Sequence, residues 1–333
     1  MDKVDIKFIA KKAEVSPATV SRVLNDTKPV SDKIKNRVME VVKKYDYQPN
    51  SLARGLITKH TKLIAQLTDE QLNTFQTILI NRMAYYADKK GYKLMSMPCG
   101  DDFESRLAAM KLLQQQQFEG IMTTFNLLPE EIQRIEKEVK IPFVDNSFYP
   151  GSENVNRQNR QAVFRAISYL VELGHKEIGG FFPEISRGDL ISFRYEGFLD
   201  ALSYFGCPIN KDYISTNANG MKGAINEVKK MVCKGKMPSA IFCYCDEAAI
   251  GVMLYLEKNG IHVPQDISII GFDGIPMGQI IEPNLTTIVQ PVDHLCKDVV
   301  EWLICRIEHK EWKQKESIEK EYYLLKKDSV RRR

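Results

Sequence analysis

The sequence lacks most of what an enzyme, a membrane protein or a disulfide-built secreted domain would need. Its seven cysteines, Cys99, Cys207, Cys233, Cys243, Cys245, Cys296 and Cys305, are odd in number and scattered. Only Cys243 and Cys245 lie close together, in an apolar run that reads as a strand, and no second Cys/His pair at metal-ligand spacing accompanies them. Thiols used this way fit a reducing compartment, so a cytoplasmic location is expected and a disulfide framework is excluded. No apolar stretch approaches the ~20 residues of a membrane helix, and the charged N-terminus carries no signal-peptide core. There is no phosphate-binding loop, no GxSxG, no HExxH and no dinucleotide fingerprint. The five histidines (His60, His175, His262, His294 and His309) are dispersed, and His175 follows Leu173-Gly174 at a helix end, a capping position rather than a catalytic one. An enzyme is therefore not expected, and nothing calls for a cofactor or a metal.

What is present is a soluble globular chain of 333 residues, 44% hydrophobic and 27% charged, long enough for two or three domains. The net charge of +4 is unevenly placed. Residues 1–60 hold 13 Lys/Arg against 7 Asp/Glu, whereas the remainder holds 34 against 36. A small basic module on a near-neutral body suits a polyanionic partner, because neutralising phosphates releases condensed counterions.

That module reads as helices. Ile6, Ile9, Ala10 and Ala13 recur at i, i+3, i+4 and i+7, and Glu14-Val15 turns the chain. Ser16 suits an N-cap and Pro17 the first helical position, where its missing N–H costs nothing. Val20, Val23 and Leu24 form the inward face of this second helix; Ala18, Thr19, Ser21 and Arg22 face out. Small and hydroxyl side chains followed by an arginine are what a recognition helix needs: close approach to the major groove, then a two-pronged donor for guanine. Ser16, Thr19 and Ser21 are within reach of phosphates. A third helix, capped by Ser31 or Asp32, packs Ile34, Val38, Val41, Val42 and Tyr45 on the pair. Residues 50–56 make only one or two helical turns, weakened by Gly55, so a helix there forms only when held. Beyond residue 62 short apolar runs (63–67, 93–97, 120–122, 142–144, 178–182, 240–243, 267–272) alternate with amphipathic stretches, which predicts parallel sheets with helices on both faces and a ligand beyond the strands' carboxyl ends.

These residues resemble the lactose/galactose repressor (LacI/GalR) family of bacterial transcription regulators. The resemblance rests on Ile6, Ile9-Ala10, Ala13, Val15-Ser16, the run Ala18 to Asn25, Pro29-Val30-Ser31, Arg37-Val38 and Tyr47-x-Pro49-Asn50, and it extends through Gly120-Ile121-Met122, Leu173-Gly174-His175-Lys176, Arg194 to Phe198, Val263 to Asp273 and Pro283 to Ile288. It implies a mixed α/β chain: an N-terminal all-α helix-turn-helix head (1–47), a hinge helix and linker (48–60), and a two-lobed, periplasmic-binding-protein-like core of doubly wound parallel sheets (61–333). Lobe 1 would span about 61–159 and 291–320, and lobe 2 about 160–290 and 321–333. The DNA-binding set would be Ser16, Pro17, Ala18, Thr19, Ser21, Arg22 and Asn25 in the head and Asn50, Ala53, Arg54 and Leu56 in the hinge, with Leu56 wedged into the minor groove. The effector set would be Asp69, Asn73, Phe75, Gln161, Arg194, Cys245, Asp246, Glu247 and Asp273. Asp246 also suits an N-cap, and Arg194 also suits a plain ion pair.

Four departures stand out: Glu14 where the family usually has Gly, Cys245 for Asn, Ala218 for a sugar-stacking aromatic, and Gln158 for Asp. Arg157 and Arg160 would suit an anion such as a sugar phosphate, or be surface charge. The expected function is a homodimeric repressor of a carbohydrate-utilisation operon that binds double-stranded DNA at a pseudo-palindromic operator under a sugar or sugar-phosphate effector, with no membrane partner. The alternatives are a non-sugar ligand, a protein corepressor, or, remotely, a solute-binding protein. The C-terminal stretch reads as a strand plus a basic tail without leucine heptads, so a dimer rather than a coiled-coil tetramer is expected.

Overall fold

The computed structural model describes residues 4–25, 29–47, 60–145, 152–185, 190–313 and 322–333. The chain divides into two compact units at Lys62/Leu63.

The first unit is a three-helix head: α1 (Ile6–Lys12), α2 (Pro17–Asn25) and α3 (Asp32–Lys44). Asp5 caps α1 by accepting from the Phe8 N–H at 2.8 Å. The helix closes with the Val15 N–H donating to the Ala10 carbonyl at 3.0 Å. That closure places Glu14 in the left-handed region at φ 52°, the conformation glycine adopts without penalty. Ile9, Ala10, Ala13, Val20, Val23 and Val38 fill the core, with the Phe8 ring edge-on to Tyr45 at 5.0 Å.

The second unit holds two sheets. Lobe 1 carries β1 (Leu63–Thr68), β2 (Lys93–Pro98), β3 (Gly120–Thr123) and β4 (Phe143–Val144), all parallel in the order β2-β1-β3-β4. Side chains alternate between faces, as a strand's period of two requires. Ala65, Leu67, Ile121 and Phe143 meet residues of α5 (Phe103–Gln115) and α6 (Pro129–Glu138). Ile64, Met122 and Val144 join the opposite core, with α4 (Thr74–Lys89) and α11 (Val292–Ile307).

Lobe 2 carries β5 (Ile178–Phe181), β6 (Ile214–Ser215), β7 (Ala240–Cys243), β8 (Ser268–Asp273), β9 (Thr286–Val289) and β10 (Tyr323–Leu325), ordered β10-β9-β8-β7-β5-β6. All pairs are parallel except β10 on β9. Helix α7 (Ser152–Glu172) packs on α8 (Leu190–Tyr204), and α9 (Gly220–Lys234) on α10 (Asp246–Lys258). The α7–α8 crossing is so close that a Cβ on Gly197 would lie 2.2 Å from the Arg160 carbonyl oxygen. The chain passes between lobes three times: between β4 and α7, between β9 and α11, and between α11 and β10.

The mixed α/β fold with parallel sheets is as the sequence implied. Strands β6 and β9 were not foreseen, and β10 runs antiparallel. Of the thiols, Cys207, Cys243, Cys245 and Cys296 are buried, Cys99 and Cys305 half-buried and Cys233 exposed.

Candidate DNA interface and interlobe cavity

In the head, the outward face of α2 is the one read from the sequence. Ser16, Pro17, Ala18 and Arg22 are exposed, Thr19 and Ser21 half-exposed, and Val20 and Val23 buried. Ser16 caps the helix by accepting from the Thr19 N–H at 3.1 Å, and its hydroxyl meets that of Thr19 at 2.9 Å. The turn before α2 is held from α3, where Arg37 Nη1 lies 3.7 Å from the Glu14 carboxylate. The side chain of Asn25, and Asn50, Ala53, Arg54 and Leu56, lie outside the described residues.

In the body, a cavity of about 340 Å³ opens between the lobes, beyond the carboxyl ends of the strands. Asn73, Phe75, Arg194, Cys245 and Asp273, all named from the sequence, line it. Asn73 caps α4 through a capping box with Gln76, which also lines the cavity. Most of the remaining wall is apolar: Leu79, Met83, Met122, Phe125, Val144, Val155, Leu190, Ile191, Leu295 and Val299.

Arg194 is buried and heavily engaged. Its Nε donates to Asn159 Oδ1 at 2.8 Å and its Nη1 to the Tyr244 carbonyl at 2.7 Å. Its Nη1 is 3.6 Å from Asp273 Oδ1, and its plane lies 3.7 Å over the Phe272 ring. Asp273 ends β8 at φ 128°, rare for any residue with a Cβ, and accepts from Gln290 Nε2 at 2.7 Å. Burial pushes the Asp273 carboxyl up against the pull of Arg194, and the nearby Asp246 adds to the rise. Asp246 accepts three hydrogen bonds from protein donors, and Asp273 accepts the one from Gln290. Burial also pushes the Cys245 thiol up to about 12, which makes it an apolar wall rather than a nucleophile.

Four of the expected effector residues lie off this lining. Asp69 sits one layer behind it: its backbone N–H donates to Thr124 Oγ1 at 3.2 Å, and its carboxylate is 3.4 Å from Arg106, whose guanidinium stacks 4.0 Å over Phe125. Gln161 is exposed on α7. Asp246 turns away, accepting from the Gly274 N–H (2.7 Å), the Ile275 N–H (2.8 Å) and Thr287 Oγ1 (2.5 Å). Glu247 bridges the lobes, accepting from the Thr74 N–H at 2.7 Å and from the Thr74 hydroxyl. Of the departures, Ala218 and Gln158 are buried away from the lining, and Gln158 Oε1 has no hydrogen-bond partner among the described residues.

Sequence reasoning passed over Asp145, Tyr244 and Gln290, which also line the cavity. Each directly follows a strand; the carboxyl-end rule applied to the runs 142–144 and 240–243 would have found Asp145 and Tyr244, but β9, which precedes Gln290, was not read as a strand.

Comparison with known proteins decides the family. Residues 5–50 match the description "Bacterial regulatory proteins, lacI family", and residues 167–330 match "Periplasmic binding protein-like domain". The chain is 31% identical to the HTH-type transcriptional repressor PurR of Vibrio parahaemolyticus over 92% of each chain. The chain belongs to the LacI family. It is 28% identical to the ribose operon repressor of Haemophilus influenzae, covering 91% of this chain and 92% of that one. Its fold matches that of the lac repressor dimer bound to operator and the anti-inducer ONPF with a TM-score of 0.85 at 21% identity, over 99% of this chain and 100% of that one. The protein is thus a DNA-binding transcriptional repressor of the LacI family, not an enzyme. No described helix of this repressor is long and apolar enough to cross a membrane.

Proposed function

We propose that this repressor binds a pseudo-palindromic operator as a homodimer and that an uncharged small molecule in the interlobe cavity sets its affinity. The carrying observation is the cavity itself: an apolar enclosure with polar groups converging at Arg194, Asp273 and Gln290, the usual make-up of a small-molecule site. The charge pattern argues against an anionic effector such as a sugar phosphate. Arg160 is engaged on the surface by Glu196 (3.3 Å) and Asp200 (2.6 Å), Arg157 by Asn154 (2.8 Å), and neither lines the cavity. The cation that does line it, Arg194, faces Asp273, and Asp145 lies on the same wall. An uncharged carbohydrate fits the polar end and keeps the reading of a carbohydrate-operon repressor. The length of apolar wall favours a second class, an uncharged heterocycle with few hydroxyls.

A thermal-shift screen of the full chain against neutral sugars, sugar phosphates and purine bases tests this, with Ile191→Phe, which fills the cavity, as control. A neutral compound that raises the melting temperature of wild type but not of Ile191→Phe, and that changes operator occupancy, is the expected result. A response to sugar phosphates alone would overturn the uncharged reading, and no response to any compound would move the search to a protein corepressor. On the DNA side, Arg22 is the long polar side chain on the exposed face of α2. Arg22→Ala is expected to cost about 1–3 kcal/mol of operator affinity and flatten sequence preference. A footprint on selected operators unchanged in that variant would refute the assignment.

A further inference from the structure

Elements flanking the three passages between the lobes meet in one buried polar chain. Asn159 of α7, the helix that follows the first passage, accepts from Arg194 Nε at 2.8 Å and donates its Nδ2 to the Tyr322 hydroxyl at 3.3 Å. Tyr322 ends the third passage, next to β10. From the second, Gln290, which directly follows β9, donates to Asp273 Oδ1 at 2.7 Å, and Asp273 faces Arg194. Asn159, Arg194, Asp273, Gln290 and Tyr322 are all buried. Five polar side chains away from water are costly unless their partners are in place, so this chain holds one arrangement of the elements that flank the three passages.

We propose that Asn159, Gln290 and Tyr322 are positioning residues that tie the elements flanking all three interlobe passages to the Arg194–Asp273 pair on the cavity wall. This rests on the reading of the cavity as the effector site. A ligand that competes for Arg194 or Asp273 then acts on all of these elements at once. The same geometry accounts for Arg194 both lining the cavity and being held by protein acceptors on two sides.

Hydrogen–deuterium exchange on the full chain, without ligand or DNA, tests the coupling. Gln290→Met keeps the side-chain length and removes the amide. The expected result is roughly five- to ten-fold faster exchange at residues 156–160 of α7, linked to Gln290 through Asp273, Arg194 and Asn159, as for loss of one buried hydrogen bond. Residues 178–181 of β5 should not change. Tyr322→Phe, which deletes a single hydroxyl and keeps the ring, should speed exchange at the amides of Gln290 and Val292 and at 156–160. Effects confined to 286–295 in the first variant and to 322–325 in the second would overturn the proposal. Because no effector is present, that failure would leave the reading of the cavity intact, whereas a failed ligand screen would leave the exchange result standing.

Discussion

Removing the Asp246 carboxylate separates an architectural role from a ligand-binding one. It lies at the start of α10 and holds the turn after β8 through the Gly274 and Ile275 N–H groups and the neighbouring strand through Thr287. Its fit is tight enough that a Cβ on Gly271 would sit 2.2 Å from Asp246 Oδ1. In Asp246→Ala the Ile275 N–H is left in a buried environment, a loss of about 1–3 kcal/mol. The Gly274 N–H is only half-buried and regains water, and Thr287 keeps the Ile288 carbonyl at 3.4 Å. Burial pushes the Asp246 carboxyl up, so part of the cost of holding it there is returned on removal. The sum is a loss of about 1–3 kcal/mol for alanine and, because an amide oxygen can still accept, a smaller loss for Asp246→Asn. Equilibrium urea unfolding followed by circular dichroism reads both. A loss below about 1 kcal/mol in Asp246→Ala, with ligand response abolished instead, would refute this reasoning and return Asp246 to the effector set.

Two further stability predictions follow from local geometry. His175 is buried, with Nε2 3.0 Å from the Arg331 carbonyl and Nδ1 3.0 Å from Ser239 Oγ; burial first, then the Arg333 and Arg331 charges, lower its pKa, while the bond to the Arg331 carbonyl partly opposes this. The native state therefore binds fewer protons than the unfolded chain, so His175's contribution is complete above the ordinary histidine value of 6.5 and is lost as pH falls through the lowered one; His175→Gln should flatten the fall in urea midpoint below pH 6.5, and an unchanged slope would exclude His175 as its source. Glu14→Gly should stabilise the head by about 0.5 kcal/mol, since relief of about 1–2 kcal/mol of left-handed strain outweighs glycine's extra chain entropy of about 0.5–1 kcal/mol. A lowered melting temperature of the head would instead mean that the Glu14–Arg37 contact matters more than the strain.

The head was legible because its information is local. The apolar spacing of Ile6 to Ala13, the Ser16 cap, Pro17 and the outward Arg22 lie within 20 residues, and helix periodicity converts them directly into faces. Even the Glu14 departure pointed to the backbone position that carries positive φ. Most alternating strands of the body were legible for the same reason, though β6 and β9 were not read. The cavity was legible only in part because each strand end contributes one or two side chains from distant stretches. Asp145, Tyr244 and Gln290 carry no local signature.

Asp246 and Glu247 show the limit of carrying a site over position by position. Two consecutive residues at a helix start can share a cavity, as Leu190 and Ile191 do at the start of α8, but position alone does not decide it. At the start of α10 neither lines it: Asp246 holds the turn after β8, and Glu247 reaches across to Thr74 in the other lobe. Arg194 shows the converse. The sequence offered two readings of it, an effector ligand or an ion-pair partner, as if they were exclusive. Its side chain lines the cavity while its Nε and Nη1 hold Asn159 and Tyr244 beside Asp273, so one residue serves as wall and as anchor. A regulatory site needs that overlap, because a ligand moves a protein only by changing the balance of contacts that also define its conformations.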